Sequence, residues 1–371
     1  MSCDFAVLAN AGIRGLSPYQ AGKPIEELQR ELGLSKVVKL ASNENPLGPG
    51  MCALGACAMG VRDLTRYPDA NGFDLKRAIS ERFNVQSEQI TLGNGSNDLL
   101  DLIARVYLAP GTSSVFSQYG FICYPIATQA CGARAIMIPA KNWGHDLDAM
   151  AAAIEADTRV VFIANPNNPT GTWVARDALV KFLQRVPEQV IVVLDEAYTE
   201  YADHPDFPNG LELQRDFPNL MVTRTFSKAY GLASLRVGYA VSHPQVADLL
   251  NRVRAPFNVN SLALAAAKAA LNDDDYLQRT VELNRNGMQQ LVAGFEQLGL
   301  KYIPSVGNFI TVEFAGAALP IYQKLLQEGV IVRPLQPYQM PNHLRVSIGL
   351  QEENQFFLDA LGRVLAERVP A

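Results

Sequence analysis

A lysine that follows a serine just after a predicted strand is the residue in this sequence best suited to covalent chemistry. Ser227 and Lys228 come shortly after the apolar run at residues 220–223, and Arg236 follows Lys228 by eight positions. A lysine amine forms Schiff bases with carbonyl groups, and an arginine guanidinium can bind a phosphate through two hydrogen bonds. Most lysines are surface residues, but this combination predicts that Lys228 binds a cofactor carrying both a carbonyl group and a phosphate.

Polar residues that follow two other predicted strands could complete such a site. Asp195 follows the apolar run at 190–194, Tyr198 comes three residues later, and Asn168 lies in a turn rich in asparagine and proline. A carboxylate buried at a strand end needs a partner, which could be a helix N-terminus, an ion pair or the protonated nitrogen of a pyridine ring. In the last case the ring acts as an electron sink, and we expect Tyr198 and Asn168 to hydrogen-bond its phenolate oxygen.

A glycine-rich turn is a candidate phosphate site. Gly95, Ser96 and Asn97 precede an apolar stretch typical of a helix, and the first turn of a helix offers unpaired N–H groups to an anion. Such a turn is often only structural, so the assignment depends on Arg236 lying nearby. Tyr119 is a candidate for stacking on the cofactor ring, although a tyrosine in the core or on the surface is the simpler interpretation.

The elements that must position these residues alternate between short strands and helices. Apolar runs predict buried strands at residues 114–116, 136–138, 160–164, 190–194 and 220–223, and helical periodicity predicts helices at 23–32, 146–156, 176–186 and 276–298. This alternation favours an α/β fold with a mostly parallel sheet flanked by helices on both faces. In such a sheet the residues that follow the strands lie at one edge, where reactive groups gather.

The length of 371 residues predicts two domains, since one domain usually has ~100–200 residues. Beyond about residue 300 the pattern changes to that of a smaller α+β unit. Residues 309–314 alternate like a half-exposed strand, and further strands are expected at 331–332 and 344–347.

Composition and charge argue against several classes of function. The net charge is −5 without a long basic run, which disfavours binding to nucleic acid or to an anionic membrane. No apolar run predicts a membrane span, and the N-terminus lacks the pattern of a signal peptide. The five cysteines are scattered and the four histidines lack ligand spacing, so we expect free thiols in a cytoplasmic protein and no metal site.

Taken together, the motifs resemble those of the fold-type I, class II aminotransferases, which use pyridoxal phosphate (PLP). The resemblance spans nearly the whole chain, and within that group the sequence is similar to the histidinol-phosphate aminotransferases. The motifs that carry it are Asn168-Pro169-Thr170-Gly171, Asp195-Glu196-Ala197-Tyr198, Ser227-Lys228, Arg236, Leu16-Ser17-Pro18-Tyr19, Gly22-Lys23-Pro24, Ser42-Asn43-Glu44-Asn45-Pro46-Leu47-Gly48 and Arg66-Tyr67-Pro68-Asp69.

The resemblance implies a role for each residue at the cofactor. Lys228 would hold PLP as a Schiff base and move protons, and Asp195 would pair with the pyridine nitrogen. Tyr198 and Asn168 would bind the 3′-oxygen of the ring. The residues expected at the rest of the cofactor are Gly95, Ser96, Asn97, Ser227 and Arg236 at the phosphate and Tyr119 on the ring face.

The resemblance also implies a homodimer with shared active sites and small-molecule substrates. Tyr67 would reach the cofactor phosphate of the neighbouring subunit. Arg345 would bind the carboxylate of the amino donor, with Asn43 also at the substrate, and Tyr19 and Arg333 would lie near the distal end of the substrate.

The domain boundaries follow from the same resemblance. Residues 45–265 would form the large PLP-binding domain, and residues 1–44 and 266–371 would combine into the small domain. The sequence departs from the family pattern at Asn97-Asp98, where an Asp-Glu pair is common, which puts the side-chain contact of Asn97 in question. It also departs at Ser234, where glycine is usual and a serine fits if its φ is negative.

Several functions use these motifs. The expected reaction is transamination between L-glutamate and imidazole acetol phosphate in histidine biosynthesis, with an aromatic amino-acid aminotransferase as the alternative and a threonine-phosphate decarboxylase as a third reaction. The cofactor contacts are common to all three and cannot separate them. A ligand-sensing domain of a transcription regulator is disfavoured, because fewer than ~40 residues precede the aminotransferase pattern.

Overall fold

Helices and strands alternate through the first two thirds of the chain in the computed structural model, which describes residues 3–18 and 22–367. The helices are α1 (Phe5–Leu8), α2 (Ala11–Arg14), α3 (Ile25–Leu32), α4 (Met51–Gly60), α5 (Phe73–Phe83), α6 (Ser96–Tyr107), α7 (Cys123–Ala130), α8 (Leu147–Ala152), α9 (Arg176–Leu183), α10 (Gly210–Leu213), α11 (Pro244–Val253), α12 (Ser261–Leu271), α13 (Asp274–Gln297), α14 (Leu319–Gln327) and α15 (Gln351–Ala366). Within these ranges, no helix is both long and apolar enough to cross a membrane.

The strands are β1 (Val38–Lys39), β2 (Ile90–Gly93), β3 (Ser113–Ser117), β4 (Arg134–Ile138), β5 (Thr158–Ala164), β6 (Ile191–Asp195), β7 (Leu220–Thr225), β8 (Gly238–Val241), β9 (Lys301–Ile303), β10 (Phe309–Glu313), β11 (Val330–Ile331), β12 (Arg333–Pro334) and β13 (His343–Ser347). Short 3-10 helices lie at Val61–Asp63, Ser87–Gln89, Thr199–Tyr201, Ala233–Leu235 and Gln336–Tyr338.

The main sheet has the strand order β2-β8-β7-β6-β5-β3-β4 in the described part of the chain. Its pairings from β4 to β7 are parallel, whereas β8 runs antiparallel to both of its neighbours. The five strands predicted from apolar runs are confirmed. The sequence prediction missed β2 and β8, which have four residues each and lie beyond β7 in the sheet.

Both faces of the central strands of this sheet are buried, which explains why these strands are largely apolar runs, whereas the edge strand β4 is mostly exposed. Along β5, Val161 and Ile163 pack into one hydrophobic cluster, and Val160 and Phe162 pack into another. Neighbouring residues of a strand point to opposite faces. A strand covered by helices on both sides therefore needs apolar residues at every position.

A second unit is built around an antiparallel sheet of order β12-β13-β10-β9. The prediction that β10 is half exposed is wrong. Ile310 and Val312 pack into the core of this unit. The opposite face also packs, because the Phe309 ring lies 5.1 Å from that of Tyr198 and the Thr311 hydroxyl donates to the carbonyl of Pro169. The second unit therefore faces the loops that follow β5 and β6.

The segment before residue 45 contacts both units. Strand β1 pairs in parallel with β11, and Leu28 of α3 packs with Ile331. Helix α3 begins at Ile25, so Pro24 precedes the helix rather than forming its first residue. Helix α2 instead approaches α7, where a Cβ on Gly12 would lie 1.9 Å from the carbonyl oxygen of Gln129. The domain boundaries at 45 and 265 stay a prediction.

The loop after Lys228 packs so closely on the segment before α4 that only glycine fits at residue 231. Gly231 has φ 68°, and a Cβ there would lie 2.5 Å from the Gly48 carbonyl and 2.5 Å from the Tyr276 hydroxyl. Gly33 has φ 66° with nothing within 4 Å of its Cβ position. The two positions therefore share their backbone strain and differ in their available space.

We predict that Gly231→Ala lowers the free energy of unfolding about 2 kcal/mol more than Gly33→Ala does. The control loses about 1–2 kcal/mol from its left-handed backbone alone, and the test variant adds an overpacking cost. Urea unfolding of the two variants measures the difference. Equal losses would contradict the tight packing at Gly231.

Candidate active site

A cavity of about 420 Å³ lies where β5, β6 and β7 end. This volume is within the range of small-molecule sites. The predicted site residues that line it are Asn43, Ser96, Asn97, Asn168, Asp195, Tyr198, Ser227, Lys228, Arg236, Arg333 and Arg345. Residues from the glycine-rich turn, from three strand ends and from the second unit therefore meet in one place, as the sequence predicted for a parallel sheet.

The amine of Lys228 lies among cationic groups. Its Nζ donates a hydrogen bond of 3.0 Å to the carbonyl of Ser42. Burial lowers the pKa of Lys228 to about 8, and the positive charges of Arg345 and Arg236 act in the same direction. A larger share of the amine is thus neutral near pH 7 than in an ordinary lysine, and the neutral amine is the nucleophile.

Asp195 is the buried carboxylate of the site. It ends β6, and burial raises its pKa to about 6. The hydroxyl of Tyr124 donates to Oδ2 at 3.0 Å, and the hydroxyl of Thr223 donates to Oδ1 at 3.2 Å. Both hydrogen bonds favour the charged form and oppose the effect of burial. The carboxylate also accepts a hydrogen bond from the backbone N–H of Ala197 and lines the cavity, and its pairing with a ring nitrogen stays a prediction.

The glycine-rich turn and Arg236 lie side by side. Gly95 has φ 82°, and a Cβ there would lie 2.5 Å from Nη2 of Arg236. The guanidinium donates to the Ser227 hydroxyl at 3.2 Å and to the Asn94 carbonyl at 3.5 Å. A side chain at position 95 would fill the space beside the guanidinium, next to the first residue of α6, Ser96.

The two departures from the family pattern have local explanations. The carboxylate of Asp98 accepts hydrogen bonds from the backbone N–H of Asn94 at 2.8 Å and from Nδ2 of Asn258 at 3.0 Å, so it stabilises the turn. Ser234 lies in the 3-10 helix Ala233–Leu235 and is not among the residues with positive φ. Serine therefore fits at this position.

Tyr198 is the centre of a buried hydrogen-bond network. Its hydroxyl oxygen accepts from Nδ2 of Asn43 at 3.0 Å and from Nδ2 of Asn168 at 3.2 Å. Asn168 also accepts from Nη1 of Arg345 at 2.6 Å, and Asn43 accepts from the hydroxyl of Ser347 at 3.0 Å. The network joins the ends of the main sheet to strand β13 of the second unit.

The two predicted substrate arginines are direct neighbours across a strand pair. Arg333 of β12 lies opposite Arg345 of β13 in the antiparallel register. Arg345 is buried, and its Nη2 donates to the Ala41 carbonyl at 2.7 Å. Arg333 is only partly buried, and both residues line the cavity.

Tyr119 is not among the described residues that line the cavity, so its place on the cofactor ring stays a prediction. Its ring packs on Trp143, with 5.3 Å between centroids, in a cluster with Tyr338 and Met340. The aromatic residue of this segment that lines the cavity is Phe121. Phe121 was not predicted, because residue spacing does not determine which side chain of the loop after β3 lines the cavity.

Tyr67 is not among the described residues that line the cavity. Tyr67 is 82% exposed, and its ring stacks on Phe257 at 4.7 Å. Tyr19 falls outside the described residues, so the structure places only its neighbour Gly22 at the cavity. The sequence analysis also missed Tyr124, Thr223 and Tyr338. Tyr124 follows β3 and precedes a proline, and nothing in this local sequence indicates its contact with Asp195.

Comparisons with known proteins point to one family. The family described as aminotransferase class I and II matches residues 35–361. Histidinol-phosphate aminotransferase 2 of Pseudomonas fluorescens is 63% identical over 368 residues, covering 99% of this chain and 100% of that protein. The protein of the same name from Pseudomonas aeruginosa is 63% identical over 365 residues, covering 98% and 99%. A histidinol-phosphate aminotransferase from Sinorhizobium meliloti, solved in complex with pyridoxal-5′-phosphate, matches with a TM-score of 0.89 at 31% identity, covering 97% of this chain and 98% of that one.

Fold, cavity and full-length similarity together define an aminotransferase of class I and II. Within that class the chain belongs to the histidinol-phosphate aminotransferase family, because relatives of that name match it over nearly its whole length. The family and the fold class expected from the sequence are thereby confirmed.

The surroundings of Lys228 predict its reactivity. In the cofactor-free enzyme, brief labelling with acetic anhydride should modify Lys228 at a rate that rises with pH through a midpoint of about 8, since only the neutral amine reacts. Arg345→Gln removes a positive charge that disfavours the ammonium form, so the midpoint should move to higher pH. Mass spectrometry of the peptide that contains Lys228 measures the rate of modification in the wild type and in Arg345→Gln. A midpoint at the ordinary lysine value in both proteins would contradict this account.

Proposed function

We propose that this enzyme transfers the amino group of L-glutamate to imidazole acetol phosphate, giving L-histidinol phosphate and 2-oxoglutarate, with PLP as cofactor. The observation that carries the proposal is the pair Arg333 and Arg345, which line the same cavity as Lys228 and Asp195. The names of the full-length relatives support the reaction, a step of histidine biosynthesis, and the PLP complex of the Sinorhizobium meliloti protein supports the cofactor.

The residues of the cavity fit PLP at two distinct places. The space that Gly95 leaves beside Arg236, together with Ser227 and the start of α6, suits a phosphate dianion. The buried carboxylate of Asp195 suits a protonated ring nitrogen, and the Tyr198 hydroxyl suits the oxygen substituent of the ring. When bound, PLP supplies an aldehyde that carries the amino group and a ring that takes up electrons from the substrate carbon.

Lys228 is the residue we assign to covalent binding and proton transfer. Its lowered pKa makes the amine both a nucleophile and a base near neutral pH. General acid–base transfer by such a group typically contributes ~10²–10⁴ in rate. The hydrogen bond to the Ser42 carbonyl fixes the amine when it is free.

The two arginines explain how one cavity can accept two different anions. Glutamate ends in a carboxylate, whereas histidinol phosphate ends in a phosphate and has no carboxylate. A guanidinium can bind either anion with two hydrogen bonds. We assign the buried Arg345 to the carboxylate of the amino donor and the more exposed Arg333 to the phosphate, with Asn43 positioning Tyr198.

Apolar residues of the cavity support an aromatic amino-acid aminotransferase as the second candidate. Phe121, Ile126 and Tyr338 line the cavity together with the polar groups. They would pack against a phenyl ring as well as against an imidazole. The distal charge of the substrate is therefore the feature that separates the two candidates.

We predict that Arg333→Ala lowers kcat/KM for histidinol phosphate at least tenfold. The same variant should lower kcat/KM for phenylalanine by a smaller factor, with 2-oxoglutarate as the acceptor in both assays. Phenylalanine has no distal anion, and a charged hydrogen bond is worth roughly 1.5–3 kcal/mol, or about one to two decades. Arg363→Ala, which removes a surface ion pair with Glu328, is the control and should leave both substrates unchanged. Equal losses on both substrates in Arg333→Ala would favour the aromatic candidate.

The surface around Tyr67 supports a homodimer. The large apolar side chains exposed on residues 51–73 are Met51, Leu54, Met59, Val61, Leu64, Tyr67 and Phe73, and the nearby Phe257 is also exposed. Monomers rarely expose so many neighbouring apolar side chains. A second copy covering this face would bury them and bring Tyr67 to the cofactor phosphate of the partner.

We also propose a cytoplasmic location, which the five free cysteines support.

We predict that mixing Lys228→Ala protein with Tyr67→Ala protein restores activity that neither parent has. In a shared-site dimer, each heterodimer contains one site with both residues intact, so an equal mixture recovers about a quarter of wild-type activity. The control mixture is Lys228→Ala with Asp195→Asn; both residues line the cavity of one chain, so no heterodimer contains an intact site. Recovery in neither mixture, with subunit exchange verified by native mass spectrometry, would mean that each site is built within one chain.

A further inference from the structure

Tyr124 contacts Asp195 from the interior of the protein. The side chain is fully buried on the first turn of α7, with its ring stacked on Phe162 at 4.8 Å and an interplanar angle of 8°. Its hydroxyl donates to Oδ2 of Asp195 at 3.0 Å. The ring position is thus fixed by packing, and the hydroxyl points at the carboxylate.

Thr223 holds the other oxygen of the same carboxylate. It is the direct neighbour of Asp195 across the parallel pair β6 and β7, and its hydroxyl donates to Oδ1 at 3.2 Å. Each carboxylate oxygen therefore has one fixed hydroxyl donor. Rotation of the carboxylate would break both hydrogen bonds, so its orientation in the cavity is set.

We propose that Tyr124, together with Thr223, is a positioning residue that keeps Asp195 ionised and directed at the cofactor ring. The inference rests on the proposed function, because it concerns the carboxylate assigned to the ring nitrogen. An ionised carboxylate only accepts hydrogen bonds. Two hydroxyl donors consequently stabilise the charged form over the neutral one.

The charges around Asp195 make these donors necessary. Burial opposes ionisation, and the neighbouring Glu196 acts in the same direction. The Lys228 amine is the favourable charge that faces Asp195, and the Cys123 thiol is neutral because burial raises its pKa to about 12. Burial also raises the pKa of Tyr124 well above its usual value, so the phenol keeps its proton and remains a donor.

The test uses Tyr124→Phe, which keeps the stacked ring and removes only the hydroxyl. With nitrogen-15-labelled PLP bound, the chemical shift of the ring nitrogen reports whether it is protonated. We expect a pyridinium shift in the wild type at pH 7 and a shift toward neutral pyridine in Tyr124→Phe. A less ionised Asp195 also pairs less well with the ring nitrogen, so PLP should bind the apoenzyme of this variant about tenfold or more weakly.

Two further variants make the result decisive. Thr223→Val should move the nitrogen shift in the same direction, and it supplies the test if Tyr124→Phe does not fold. Tyr239→Phe is the matched control, because it removes the hydroxyl of another buried tyrosine, one that bonds Arg224 instead of Asp195. This variant should leave the nitrogen shift unchanged. A wild-type shift in both Tyr124→Phe and Thr223→Val would overturn the inference. A wild type that binds no PLP would instead overturn the proposed function.

Discussion

The buried charge of Asp195 is the constraint around which the active site is organised. The carboxylate ends a central strand whose neighbours are apolar on both faces, and only 5% of the residue is exposed, so water solvates it poorly. An unpaired charge in such a place would cost several kcal/mol. Two hydroxyls supply part of the compensation, and a cationic ligand in the cavity would supply the rest. The fold therefore creates a site that favours a protonated heterocycle.

The same cavity carries an excess of positive charge away from Asp195. Arg236 comes from the loop after β7, whereas Arg333 and Arg345 come from the second unit. These guanidinium groups attract phosphate and carboxylate groups, and those of Arg345 and Arg236 also help to lower the pKa of Lys228. Substrate recognition and activation of the lysine thus arise from one electrostatic arrangement. The Asn43–Tyr198–Asn168 network links the two units across it.

Sequence reasoning was strongest where a local pattern determines the structure. Apolar runs predicted the parallel strands, because burial on both faces leaves few polar positions. The polar residues just after those strands, Lys228 and Asp195, were found for the same reason. Sequence patterns failed where the structure depends on packing between segments that are far apart in the sequence. Strand β10 was predicted to be half exposed because the pattern does not show that its second face packs against Tyr198. Phe121 was missed because residue spacing does not determine the path of the loop after β3. Tyr124 was missed because its contact with Asp195 joins residues 71 positions apart.

The most direct test of the central claim is to identify the residue that binds the cofactor covalently. The purified protein is incubated with PLP, reduced with borohydride, digested and analysed by mass spectrometry. The account predicts a phosphopyridoxyl group on the peptide that contains Lys228, at a stoichiometry near one per chain. A label on another lysine, or no label on a protein that catalyses transamination, would contradict the assignment of this cavity as the active site.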